Sequence, residues 1–466
     1  MSLISPIRTR SLKLNVPPCT VGITDGSERG DYVPQEHVFN RIGRPHHVIN
    51  LMFQYYPDME NWPTQGTKRH GFYRHNDLNK GDGYFPLVLE EGGPWGQAYL
   101  RQIEEVRAYG QDAQLTLTLH PNTPEEDLIR IAKSLEPFGR MRIRINHECN
   151  GTWFYFNQRW SYGEVSDGFI RFHNILHEHA PEILTVACWN GKGEAYTEPE
   201  KADAGGQLTE DQLAPMFRTA DIVSYDQYAS LHWGWPDPDY DRNHPKDFFD
   251  VPFEVWWELL YEVHDRMCDL RGGETPLEIH EINEDADVIG IAKQAEWTTR
   301  FYRHVADLKL PWLTNITFYM FRDRGGLGLE QEDVDDPSKY EEMPALKAYS
   351  DAIGDPYFDM RIEEVVNESP SLRWKTATDA QGYGFTFDVP SRAEDCALEL
   401  PGALNLLVKA GDRWYHKPAG VEAIEIGAAQ QGALEVAVFA PPADGRNNSG
   451  EDYRIKSELN ANLRIK

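Results

Sequence analysis

Met141-Arg142-Ile143-Arg144-Ile145-Asn146-His147-Glu148-Cys149-Asn150-Gly151-Thr152-Trp153-Phe154 is the stretch on which the fold turns. Its apolar residues alternate with Arg142, Arg144, Asn146 and Glu148. A period of two predicts a β-strand that places all four polar groups on one face. A row of charges on the inward face of a strand implies a polar cavity. At the strand's end come a carboxylate between a His and an Asn, then Gly, then two aromatics.

Seven further β-like runs flank this one. In order they are Cys19–Thr24, His47–Phe53, Gln114–His120, then Arg142–Glu148 itself, Leu184–Asn190, Asp221–Tyr228, Pro276–Glu281 and Asn315–Phe321. Between them lie amphipathic stretches such as Glu125–Leu135, Phe169–His179, Val255–Leu270 and Ala292–Leu308. Alternation of strand and helix implies parallel strands joined by crossovers. Eight such units predict a (β/α)8 TIM barrel spanning residues 1–355, with insertions near 57–112 and 229–250. Pro86–Glu90 reads as a ninth, inserted strand. Val255-Trp256-Trp257-Glu258 reads as helix packed on the barrel. After Tyr357 the helical period fades and short alternating runs appear, among them Tyr383–Val389 and Gly432–Phe439. Residues 356–466 therefore read as a small all-β sandwich, with a structural role preferred for it.

Composition narrows the partners. The chain of 466 residues carries a formal net charge of -29, which argues against nucleic acid or an anionic membrane surface. No run is long enough to cross a bilayer. Aromatics reach 12%, which fits either a large aromatic core or a cleft that stacks on sugar faces. The five cysteines, Cys19, Cys149, Cys188, Cys268 and Cys396, show no metal-ligand spacing and no disulfide framework. Reduced thiols and the absence of an apolar leader-like segment predict a cytoplasmic protein, or a secreted one if a leader has been removed. Oligomeric state is not readable, and no cofactor is expected.

Working residues of a barrel sit at the C-terminal ends of its strands. That rule selects His120 after the third strand. It selects Arg144, His147, Glu148, Asn150, Trp153 and Phe154 on and after the fourth. Trp189 and Asn190 follow from the fifth, Asp226 and Tyr228 from the sixth, and His280, Glu281 and Asn283 from the seventh. Trp233 and Trp235 lie beyond the sixth strand in a Gly- and Pro-rich loop and read as sugar platforms. Two carboxylates on opposite strands, Glu148 and Glu281, match the pair that glycoside hydrolysis requires. Glu278, deeper in the seventh strand, competes with Glu281 but reads as structural.

The barrel resembles glycoside hydrolase family 26, one of the retaining (β/α)8 glycosidases. Members carry an Arg, a His-Glu pair, Asn-Gly and a Trp at the fourth strand, which Arg144, His147, Glu148, Asn150, Gly151 and Trp153 match in order. Trp189-Asn190 and Asp226-Gln227-Tyr228 resemble the family's fifth and sixth strand ends. Pro276–Ile282 resembles the seventh, with His280 where the family has Thr and Asn283 where it has Gly. The resemblance implies Glu148 as acid/base, Glu281 as nucleophile, Tyr228 as its hydrogen-bond partner, and His147 and Trp153 beside the cleaved bond. It also implies a β-linked glycan as substrate, β-1,4-mannan first, then β-glucan or β-xylan. Electrostatics agrees. Glu281 and the enclosing aromatics would raise the Glu148 pKa, and Arg144 would keep its carboxylate partner ionised.

Two other readings stand beside this one. An inactive barrel could bind carbohydrate without cleaving it. His120, His147 and His280 could hold a metal together with Asp226 in a metal-dependent hydrolase, although none has His-x-His or helical i, i+4 spacing. His177 and His179, on a helix, read as surface or packing residues.

Overall fold

The computed structural model describes residues 2–25, 32–59, 62–63, 82–93, 95–151, 153–191, 212–232, 248–323, 325–333, 336, 338–366, 368, 372–376, 379–400, 402, 404–446, 453–455 and 459–465. Eight parallel strands close into a barrel. They are β1 (Thr20–Thr24), β2 (Val48–Tyr55), β3 (Asp112–Leu119), β4 (Met141–Ile145), β5 (Ile183–Asn190), β6 (Ile222–Asp226), β7 (Leu277–Ile282) and β8 (Leu313–Phe318). Closure is made where β8 and β2 both pair with β1, Asn315 opposite Thr20 and Gly22 opposite Val48. All eight sequence-predicted runs are present in this sheet. A two-residue strand, Phe85–Pro86, adds to β2 at the place of the expected ninth strand.

The barrel strands carry polar residues inward and apolar residues outward. On β3, Gln114 and Thr116 face a network through Asn50 of β2, while Leu115, Leu117 and Leu119 belong to the apolar core under the helices. Helices Glu125–Leu135, Tyr162–His179, Phe253–Arg271 and Ile291–Leu308 cover the outside. Trp256 and Trp257 are buried in that outer layer, as helix-to-barrel packing requires. The interior is thus a set of hydrogen-bonded polar side chains, which leaves room for the charged groups of β4 and β7.

The second unit is built from both ends of the chain. Strand Arg8–Asn15 pairs with Asp379–Val389 and Arg361–Glu364, and Ser2–Ile4 pairs with Asn462–Ile465. Two antiparallel sheets enclose a core of residues such as Phe385, Phe387, Leu398, Val408 and Val438. The expected boundary at residue 355 therefore misses the first two strands, whose pairing partners lie beyond residue 360. Trp414, Leu407, Trp374 and Phe439 pack with Phe39 of helix Gln35–Ile42, joining sandwich to barrel. Gly110 sits in this seam at φ 72; a Cβ there would lie 2.2 Å from Leu407 Cδ1. Trp414 is buried and the Tyr415 hydroxyl donates to Ile426 O, so these aromatics serve packing.

Candidate active site

β4 ends earlier than its alternation suggests. The strand stops at Ile145, and Asn146 and Glu148 take left-handed backbone at φ 47 and 51. Such angles cost a non-glycine residue about 1 kcal/mol or more each, and they persist where surrounding contacts hold them. Those contacts are present. The Asn146 side-chain carbonyl accepts from Leu119 N (2.8 Å) at the end of β3. Asn150 clasps Asn190 at the end of β5, donating to its carbonyl (2.8 Å) and accepting from its N–H (2.9 Å). Asn157 donates to the carbonyls of Glu148, Cys149 and Gly151. Gly151 is required for the fold-back that follows, because a Cβ there would sit 2.6 Å from the Trp153 ring. These contacts hold the backbone from Glu148 to Gly151. Its turn delivers the Trp153 indole N–H to Glu148 Oε2 (2.7 Å), and Asn190 donates to Oε1 (2.7 Å).

β7 reaches the same point by another device. Ile279 lies opposite Tyr225 of β6 and Glu281 opposite Asp226, so β7 spends two residues where β6 spends one. This β-bulge resets the strand's alternation. Consecutive residues His280 and Glu281 both bond to interior groups. His280 Nε2 lies 2.7 Å from Glu278 Oε2, and Glu281 Oε1 accepts from Arg144 (2.6 Å).

Four charged groups meet above the bulge. Arg144 is fully buried and donates to Glu281 Oε1, to Asp226 Oδ2 (2.7 Å) and to Thr116 Oγ1 (2.8 Å). The Tyr228 hydroxyl donates to Glu281 Oε2 (2.7 Å). Oxygen atoms of Glu148, Asp226 and Glu281 lie within 4.8 Å of one another. Two of these carboxyl groups, those of Asp226 and Glu281, bond the one guanidinium, and Glu148 adjoins them. Burial, then the charges of Glu281 and Asp226, push the Glu148 pKa well above the usual carboxylate range, against the pull of its Asn190 and Trp153 bonds. Burial also raises Asp226, with Arg144 opposing and Glu281 adding to the rise. Of the two, Glu148 is the natural proton carrier, since its hydrogen-bond donors are neutral while Asp226 faces Arg144. Burial and Arg144 hold His147 well below its ordinary value, so its imidazole is neutral. Its Nε2 lies 3.2 Å from the Tyr84 hydroxyl and 3.9 Å from Glu281 Oε1.

The site residues expected from sequence meet different outcomes. Glu148, Glu281, His147, Trp153, Asn190 and Tyr228 converge, with Phe154 packed against His147 at 4.5 Å between ring centroids. Arg144 and Asn150 belong to the site but are fully buried, where they position its carboxylates and strand ends and do not face a ligand. Trp189 and His280 are corrections. Trp189 points out of the barrel and is buried beside Phe217, because it alternates with the inward Asn190. His280 is fully buried on Glu278. His120 pairs with Asp58 (2.5 Å) among Tyr56, Tyr155 and Trp160, away from either glutamate's hydrogen bonds. Trp233 and Trp235 lie outside the described residues. Sequence reasoning missed Tyr84, which comes from the long insertion and carries no periodic signal. It also undervalued Asp226, whose role depends on Arg144 reaching across the barrel.

No protein-family model matches the chain, and no curated protein matches it. Solved structures do. A GH26 β-mannanase from Bacteroides ovatus is 12% identical, with a TM-score of 0.42 over 73% of this chain and 90% of that one. An α-L-arabinofuranosidase from Thermotoga maritima is 11% identical, with a TM-score of 0.44 over 94% and 98%. A family 39 glycoside hydrolase from Bacteroides cellulosilyticus is 13% identical, with a TM-score of 0.44 over 97% and 81%. These matches span several glycosidase kinds and single out no one family, so the chemistry is read from the site itself.

Proposed function

We propose that this protein is a retaining β-glycosidase in which Glu148 is the acid/base and Glu281 the nucleophile. The observation that carries the proposal is the contrast between two glutamates whose oxygens approach within 4.8 Å. Retaining enzymes hold their carboxyl groups about 5–5.5 Å apart, and inverting enzymes leave roughly 6.5–9.5 Å for a water. Glu281 accepts hydrogen bonds from the Arg144 guanidinium and the Tyr228 hydroxyl. Glu148 has two neutral donors and a raised pKa, the condition for a group that must deliver a proton at neutral pH.

In the first step Glu281 attacks the anomeric carbon while Glu148 protonates the departing oxygen, giving a covalent glycosyl-enzyme. Loss of the Glu281 charge on forming the ester then lets the Glu148 pKa fall, which suits its second task of deprotonating the incoming water. Tyr228, bonded to Glu281 Oε2, steadies the nucleophile before attack. Trp153 and Phe154 supply ring faces beside the reacting sugar. The resemblance of the β4 and β7 ends makes β-1,4-mannan the first substrate to test, with β-glucan and β-xylan next.

A metal-dependent hydrolase is disfavoured by the geometry. Arg144 already donates to two of the three converging carboxylates, filling the place where a cation would sit. The three histidines do not gather: His120 faces Asp58, His147 faces Tyr84 and His280 faces Glu278. The deciding experiment incubates the full chain with manno-, gluco- and xylo-oligosaccharides and follows product anomers by proton NMR. Retained configuration, absent in Glu148→Ala and Glu281→Ala, is expected. Inverted product would sink the double-displacement reading. Binding without turnover across a wide glycan panel would favour the inactive, sugar-binding barrel.

A further inference from the structure

On the outer wall of the barrel, helix Tyr162–His179 presents His173 and His177 one turn apart, with ring centroids 4.0 Å from each other. Asp221 comes up to them from the residue just before β6. His177 Nε2 lies 3.0 Å from Asp221 Oδ2, and His173 Nδ1 lies 3.9 Å from the same oxygen. One ligand atom from each of the three falls within 4.8 Å of the others. A tetrahedral ion with bonds of roughly 2.0–2.1 Å separates its ligand atoms by about 3.3 Å, and the two observed spacings straddle that value. The set is held in place from below. Thr185, on the outward face of β5, donates to Asp221 Oδ2 from both its N–H (2.8 Å) and its hydroxyl (2.9 Å). The same hydroxyl lies 2.7 Å from His173 Nδ1. The His177 side chain is 42% exposed, so an ion has an open approach.

We propose that His173, His177 and Asp221 form a binding site for a divalent transition-metal ion of the zinc type, with water completing the shell. Two imidazoles and one carboxylate are a donor set that favours zinc, nickel or copper over magnesium or calcium. Because the Thr185 hydroxyl gives its proton to Asp221, His173 Nδ1 donates to that hydroxyl; the ion would displace this hydrogen bond and the one between His177 and Asp221, and tie the helix to the start of β6. This site lies outside the barrel and uses none of the groups of the catalytic proposal.

The test is calorimetric titration of the EDTA-stripped full chain with zinc chloride, with magnesium chloride as a parallel arm. One zinc per chain is expected, with affinity reduced at least tenfold in His177→Ala and unchanged in His179→Ala. Because His177 is exposed, its loss should leave the fold intact, checked by an unchanged circular dichroism spectrum. A Co²⁺-loaded sample should show the visible absorption of a four-coordinate ion, also lost in His177→Ala. Absence of zinc binding would overturn the proposal. So would equal binding by His177→Ala, which would place the ion elsewhere, or equal affinity for magnesium, which would mark a carboxylate site.

Discussion

Two layers of the barrel interior use the same chemistry for different ends. In the lower layer Arg142 of β4 donates to Glu278 of β7 (3.0 Å), and His280 closes the other side of that carboxylate (2.7 Å). One cation meets one anion, and burial and the nearby arginines hold His280 neutral, down to about 4. In the upper layer, one inward position further along β4, Arg144 meets Asp226 and Glu281, with Glu148 adjoining. One cation now faces three acids. The lower layer balances its charge, one cation against one anion. The upper layer does not balance, and burial among those charges favours keeping a proton on an acid. Burial pushes Glu278 up, but Arg142 and the His280 bond outweigh it and leave its pKa lowered, whereas Glu148 is raised. Identical residue types thus have a lowered pKa in one layer and a raised one in the next, according to the count of charges around them.

The sharpest way to break this comparison is to remove one acid from the upper layer. Glu281→Gln should lower turnover by roughly 10⁴-fold or more, as loss of a nucleophile does. The same change removes the charge that helps raise Glu148, so carbon-13 NMR titration should find the Glu148 pKa lower than in the parent. An unchanged value would mean that burial alone sets it. Next in size is Arg144→Lys, expected to cut kcat by about 10²–10³-fold in steady-state assays, since an ammonium cannot bridge Asp226, Glu281 and Thr116 together.

The lower layer should respond in stability instead. Glu278→Gln leaves the partly buried Arg142 without its anion and should cost up to about 3 kcal/mol in urea unfolding, with kcat per folded molecule held within about threefold. Its pH dependence follows from the sign of the shift. Because the folded-state pKa of Glu278 is lowered, its contribution is present above the unfolded carboxylate value and is lost as pH falls through the folded one, so the variant should lose the acid-side part of the parent's stability profile. The smallest effect expected is from Trp153→Phe. Its N–H favours the charged form of Glu148, so removing it should raise that pKa further and move the alkaline limb of kcat/KM to higher pH, with kcat falling by roughly tenfold or less. A limb moving to lower pH would show that the indole acts by shielding Glu148 from water and not as a donor.

Much of this was legible in the chain before any coordinates. Eight strand runs, the polar inward row of β4 and the Glu148/Glu281 pair all follow from local alternation and from the rule that barrel chemistry gathers at strand ends. The errors are equally instructive. Counting from strand ends puts His280 and Trp189 at the mouth, but His280 shares a face with Glu278 two residues earlier and bonds it, the bulge then turning Glu281 inward, and strict alternation turns Trp189 outward once Asn190 is inward. The first fifteen residues looked like a barrel lead-in because strand pairing with residues 361–389 leaves no mark on the short segment itself.

Period, turn chemistry and strand-end position are properties of neighbouring residues, and the sequence alone determined them: a barrel of eight strands, an Asn-Gly turn after Glu148 and two acids on β4 and β7. Which acids share Arg144, which one keeps the proton and which polar layer balances its charge depend on contacts such as the one that spans 137 positions between Arg144 and Glu281. Only closure of the barrel brings those groups within a few ångströms and strips away their water, and it is that burial which separates the pKa of Glu148 from that of Glu278.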